Sequence, residues 1–197
     1  MSLPHNKTIR AVAMSASTLA LAAAAHAEMA TYAIEPTHTS VTFEILHNKT
    51  STLRGRFNKK EGSVEFDRAG KAGKADITVD IASLDTGLAA FNKNLLGQNF
   101  LNLVAAPTAR FVGDRFLFDG DKVSEVEGQL TILGKSVPAT LKAVRFNCYT
   151  SPLIKREICG GDFETTIRRS DFGMGYKLPE IPDDVRLLIQ VEAIKQS

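Results

Sequence analysis

The stretch VTFEILH, Val41 to His47, places Val41, Phe43, Ile45 and His47 on one parity and Thr42, Glu44 and Leu46 on the other. A β-strand sends successive side chains to opposite faces, so three apolar side chains and a histidine look one way and mostly polar ones the other. The same period recurs along the chain. In KADITVDIAS, Ile77, Val79 and Ile81 alternate with Asp76, Thr78 and Asp80. In KVSEVEGQLTIL, Val126, Leu130 and Ile132 oppose Glu125, Glu127 and Thr131, and in DVRLLIQVEAI, Val185, Leu187, Ile189 and Val191 share a face. STLRGRF, GSVEFD, TARFVGDRFLF and DFETTIRR follow suit. VPATLKAVRF alternates and then slips near Ala143-Val144, as a β-bulge makes a strand do.

Turn residues stand where the pattern breaks, in AGKAG at 69–73, FDGDK at 118–122 and LGKS at 133–136. Short turns between alternating runs predict antiparallel hairpins. About eight strands of one-sided polarity must bury their apolar faces, and a sandwich or a closed barrel does so. Arg54, Arg56, Glu65, Asp76, Asp80, Glu125, Glu127 and Lys142 all fall on the opposite faces, which favours a single water-facing exterior. One segment differs. Leu88, Phe91, Leu95 and Leu96 are spaced for a helix, with Asp85 or Thr86 as N-cap candidates, Gly97 at its end and Pro107 as a stop.

The first 27 residues read as a secretory leader. Lys7 and Arg10 precede an uncharged small apolar run, Ala11 to Ala24, and Ala25-His26-Ala27 has the small-x-small form of a cleavage site. The run is too short to span about 30 Å of hydrocarbon, which argues against stable membrane insertion. The expected organisation is a signal peptide at 1–27 and one domain over 28–197, exported to the periplasm. Without Lys7 and Arg10, the 24 basic residues fall to 22 and match the 22 acidic ones. No basic stripe remains to argue for nucleic acid.

Two cysteines, Cys148 and Cys159, are expected to form one disulfide closing a short loop, worth about 3 kcal/mol by chain entropy. Only His38 and His47 lie beyond the leader, too few with two cysteines for a metal site, so no metal or cofactor is expected. Gly134-Lys135-Ser136 fails as a phosphate loop, because position 129 is Gln and strands flank it. There is no G-x-S-x-G, and neither histidine sits in a catalytic context, so the chain reads as a non-enzyme.

Several blocks, in order, resemble the YceI-like family of exported polyisoprenoid-binding proteins. They are YAIEPTHTSVTFEILH, STLRGRF with GSVEFD, SLDTG, NLLGQNFLNLVAAPTARF, GQLTILGKSVPATL and IRRSDFGM, covering Tyr32 to Ala193. The resemblance implies an all-β fold, an antiparallel eight-stranded lipocalin-like barrel with a short helical segment over one end. It implies binding, transport or storage of an amphiphilic isoprenoid lipid, of polyprenyl or quinone-precursor type, in the barrel interior. A fatty-acid or amide carrier is the nearest alternative, and a stress-response or structural protein with a side-chain-filled barrel is another. One departure stands out. Many relatives carry Arg-Asp-x-His-Leu where this chain has Phe91-Asn92-Lys93-Asn94-Leu95.

On this reading Val41, Phe43, Ile45, Phe57, Phe66 and Phe111 line the tail, together with Phe163, Phe172 and Met174. Phe91, Leu95 and Phe100 form a lid over one end. His47 and Arg169 share parity with the buried faces and are the headgroup candidates. A charge at Arg169 needs a partner, for which Asp171 or Asp85 is the expected carboxylate. An exposed edge or the lid is compatible with a homodimer, and a membrane redox protein with receipt of the lipid.

Overall fold

The computed structural model describes Met1 and residues 29–196. The leader expected over 1–27 lies, but for Met1, outside the described residues. The strands are β1 (Ala30–Ile34), β2 (Ser40–His47), β3 (Ser51–Phe57), β4 (Lys60–Asp67), β5 (Ala72–Asp80) and β6 (Leu84–Asp85). After a short helix, α1 (Ala89–Leu95), come β7 (Thr108–Asp119), β8 (Lys122–Ile132), β9 (Lys135–Thr150), β10 (Glu157–Arg168) and β11 (Asp184–Lys195). Among the described residues no helix is long and apolar enough to cross a membrane.

Every pairing is antiparallel, and the sheet closes. β11 pairs with β1 near Ala193 and with β2 from Arg186 to Gln190. β4 pairs with β1 and β5, while β3 pairs with β2 and β6. Thus β1 and β2 are halves of one broken strand, and so are β3 with β4 and β5 with β6. Counted this way, eight strands form a closed barrel. The breaks change parity. Even-numbered Tyr32 and Ile34 of β1 and odd-numbered Val41 and Phe43 of β2 all border the interior.

Bulges do the same elsewhere. Asp162 pairs with Arg145 but Phe163 pairs with Ala143, so Val144 is the extra residue and points outward, at the slip seen in the sequence. Asp114 is likewise skipped in the β7–β8 ladder, which turns Phe116 and Phe118 onto the same side as Phe111. Between β8 and β9 the turn is Leu133-Gly134 with positive φ at both residues, the mirror-image geometry that suits hairpin twist. The disulfide joins directly paired residues of β9 and β10, Cys148 and Cys159, with Cα atoms 4.1 Å apart. The outer wall carries ion pairs, Glu44 with Arg54 and Arg186, Asp76 with Arg110 and Glu127 with Arg115.

The helix differs at its ends from the expectation. Leu88 holds the N-cap position without a side-chain cap, because Thr86 instead donates its N–H and hydroxyl to Asn92 Oδ1, at 2.8 and 2.6 Å. Leu96 is the C-cap, and the Gly97 N–H donates to the Asn94 carbonyl just beyond it.

Candidate functional site

The barrel has one filled end and one hollow end. In the filled end the Phe66 ring stacks on Phe118 at 6.1 Å and 10° and packs on Phe116, Phe146 and Tyr32. Phe111 and Phe163 belong to the same cluster. Only about 110 Å³ of free space remains there. Burial first, and then the hydrogen bond to Glu157, push the Tyr32 hydroxyl up to about 12, so it stays a neutral donor.

Towards the other end the wall opens into a cavity of about 410 Å³, within the range of small-molecule sites. Val41 borders both spaces, and from it the opening strand runs outward along the cavity through Phe43 and Ile45 to His47 at the exposed rim. Phe57 and Met174 line the same space. Phe91, Leu95, Phe100 and Leu101 roof it from α1 and the coil that follows. Leu95, Leu96, Leu101 and Leu103 anchor this roof on buried Phe57, Ile81 and Leu84. The loop after β10 completes the rim, where Tyr176 meets Phe100 edge-on at 5.5 Å.

Of the residues expected to line a tail, Val41, Phe43, Ile45, Phe57, Phe91, Leu95, Phe100 and Met174 border the open cavity. Phe66, Phe111 and Phe163 do not. They pack in the filled end, because the strand breaks and bulges carry their faces past the hollow part. Phe172 is also placed elsewhere. It is the one large side chain fully buried among the described residues, 1% exposed, and borders the seam where β9 and β10 separate. The wall also uses residues that were not among the expected tail-lining set, including Leu53, Val79, Ile132, Val185 and Leu187. Their parity was readable, but their height in the barrel was not. Asn94, in the segment expected to depart from the family pattern, borders the cavity, whereas Asn92 is occupied with Thr86.

Arg169 is 3% exposed and borders the cavity, but it pairs with neither Asp171 nor Asp85. Asp171 binds Arg168, and Asp85 accepts the Gly87 N–H. Arg169 instead donates to main-chain carbonyls, from Nε to Pro182 at 2.9 Å, from Nη2 to Ile181 at 2.9 Å, and from Nη1 to Met174. It thereby ties down the loop that forms one side of the rim. Burial lowers its pKa, and nearby Asp183 opposes the shift. A guanidinium has five N–H groups and three are committed here, so donors remain for another acceptor.

A second hollow, of about 570 Å³, lies outside the wall along the seam of β9 and β10. The ladder between these strands stops at Glu164–Lys142. Pro138, which lacks an N–H, is tolerated in β9 beyond this point because β8 is its only strand partner there. Ion pairs flank the seam, Arg168 with Asp171 and Arg186 with Glu164, so the hollow is a groove of mixed polarity.

A closed eight-stranded barrel with one hollow, roofed end has room for one small ligand. The chain belongs to the YceI-like family: the YceI-like domain matches residues 32–193. A UPF0312 protein of Pseudomonas aeruginosa is 34% identical over 193 residues, 96% of this chain and 98% of that one. The crystal structure of BcnA from Burkholderia cenocepacia superposes with a TM-score of 0.68 at 25% identity, covering 81% of this chain and 98% of that one. A polyisoprenoid binding domain from Saccharophagus degradans, implicated in plant cell wall breakdown, shares the fold, with a TM-score of 0.59 at 13% identity over 85% and 99% of the two chains.

Proposed function

We propose that the protein is a periplasmic carrier or store of an amphiphilic isoprenoid lipid, holding the tail in the hollow end of the barrel without chemical change. The observation that carries this reading is the largely apolar cavity of about 410 Å³, bounded at its inner end by the Phe66 cluster and bordered at the other by His47, Asn48 and Lys177. Such a space accepts a slim chain from one side. Each buried CH₂ contributes about 0.8 kcal/mol, so a tail of a few prenyl units binds firmly without metal or covalent attachment. The family membership and the polyisoprenoid-binding fold relative support the same class of cargo. The polar head then lies towards the rim, with His47 and Lys177 near the opening and Arg169 in the wall.

Native mass spectrometry of protein released gently from the periplasm, with organic extraction of the same sample, tests this. The expected result is a discrete adduct that extracts as a prenyl lipid. An extracted fatty acid assigns the cargo to the acyl class instead. A bare mass, with no uptake of added polyprenyl compounds, overturns the carrier reading. For the head contacts, His47→Ala and Arg169→Ala are each expected to weaken a polyprenyl phosphate more than the matching polyprenol. Equal affinities would remove both residues from that role.

A further inference from the structure

The roof of the cavity carries apolar side chains on both sides. Its inner side carries Phe91, Leu95, Phe100 and Leu101. Its outer side carries Leu88, 62% exposed, and Val104, 97% exposed. The two neighbouring rim segments repeat the pattern. Leu46, at the tip of the β2–β3 hairpin, is 45% exposed and yet borders the cavity. Tyr176 and Leu178, in the loop held by Arg169, are exposed, and Tyr176 touches Phe100 of the roof. Apolar surface therefore continues from the cavity through its mouth to solvent, on three separate segments.

A covering segment that faced only water would carry polar residues on its outer side. This one interrupts its exposed Lys93, Asn94, Gln98 and Asn99 with the exposed apolar Leu88 and Val104, and its charges are one-sided. From Thr86 to Pro107 the only charged residue is Lys93, and the hairpin tip from Leu46 to Ser51 has Lys49 and no carboxylate. The third segment adds Lys177, whose Nζ lies 5.8 Å from the Tyr176 ring centre, and Glu180 is the exposed acid near it. Exposed leucine, valine and tyrosine interspersed with lysine match the bilayer interface, where rings and aliphatic groups enter the headgroup layer and ammonium groups meet lipid phosphates.

We propose that the roofed end of the barrel is a membrane-docking surface that seats on a leaflet containing anionic lipid. Seated there, the mouth lies against the bilayer, and cargo passes between membrane and cavity without its tail crossing water. The purpose of the docking rests on the carrier reading; the docking itself does not. The segments involved are short, and among the described residues no helix is long and apolar enough to cross a membrane, so the contact is shallow and reversible.

The test uses the mature protein and vesicles of phosphatidylglycerol with phosphatidylethanolamine, compared with vesicles of phosphatidylcholine alone. Co-flotation is expected with the anionic vesicles and is expected to weaken with added salt. The variant Leu88→Ser with Val104→Ser keeps every cavity-lining residue. It is expected to lose flotation about tenfold or more, as withdrawing two apolar side chains from an interface predicts. Its loading with polyprenol from vesicles should slow in parallel, while uptake of the same polyprenol from detergent stays at the wild-type level. A Lys93→Glu variant, which leaves the apolar surface intact, should lose the preference for anionic vesicles. Wild-type protein that takes up polyprenol but does not float, and a serine variant that loads from vesicles at the wild-type rate, overturn the docking surface and leave the carrier reading standing. Flotation of wild type without any uptake of polyprenol does the reverse. A wild-type dimer in native mass spectrometry that the serine variant converts to monomer assigns the patch to a second copy of the chain and also overturns the proposal.

Discussion

Phe43 lies across from Gly55 in the β2–β3 ladder, and its ring occupies the place where a side chain at position 55 would begin. The glycine is therefore part of the cavity's shape, since it lets the phenyl ring lie back against the wall.

Gly55→Val should drive the Phe43 ring into the cavity. Overpacking of this kind costs about 1–3 kcal/mol. The expected outcome is a modest loss in urea stability and a large loss of uptake of a fluorescent prenyl probe. Restoring space with Gly55→Val plus Phe43→Ala should recover uptake, and failure to do so would place the cargo elsewhere.

Phe66 should behave differently, because it belongs to the filled end. Phe66→Ala removes a ring packed on Tyr32, Phe116, Phe118 and Phe146. A loss of about 3–5 kcal/mol in equilibrium denaturation is expected. Where the variant still folds, the enlarged inner space should admit longer prenyl chains than wild type does, as read from a chain-length series.

The disulfide closes a loop of 11 residues in sequence separation between strands already paired. The double variant Cys148→Ser with Cys159→Ser is expected to lose about 3 kcal/mol in urea denaturation by loop entropy. Because the bond lies beside the filled end and not at the rim, prenyl affinity in the folded variant should stay unchanged.

Glu35 supplies a pH dependence. Its partial burial raises the carboxyl's pKa, but hydrogen bonds from the Thr37 hydroxyl and N–H and from the His38 N–H and ring outweigh that, bringing it down to about 2. A carboxylate held below its unfolded value contributes stability above that value and loses it as pH falls towards the folded one. The wild type should therefore lose stability between about pH 4.5 and pH 2, measured as the urea midpoint. Glu35→Gln should start lower and flatten that part of the curve, since Glu35 holds the break that lets β1 and β2 share β11.

The alternation of VTFEILH and its counterparts was sufficient to read an antiparallel all-β chain, and the ordered blocks from Tyr32 to Ala193 to read its family. A strand's two faces are a local consequence of backbone geometry, so each run declares its buried side without its neighbours. The slip at Ala143-Val144 was visible for the same reason. Depth along the barrel was not visible. Phe57 and Phe66 have equivalent sequence credentials, yet one borders the cavity and the other blocks its inner end. That difference is made by the register of strands far apart in the chain, by the three strand breaks, and by the skipped Asp114, which together set how high each ring sits. Parity turned Arg169 inward, as the structure has it, but could not name its partners. Its partners are carbonyls of a loop that only folding brings around it, and no spacing rule encodes a main-chain acceptor. The double-sided roof falls in the same class. Leu88 and Phe91 read as one apolar stripe on a short helix, and it is the barrel mouth beneath them that makes one side an interior and leaves the other facing out.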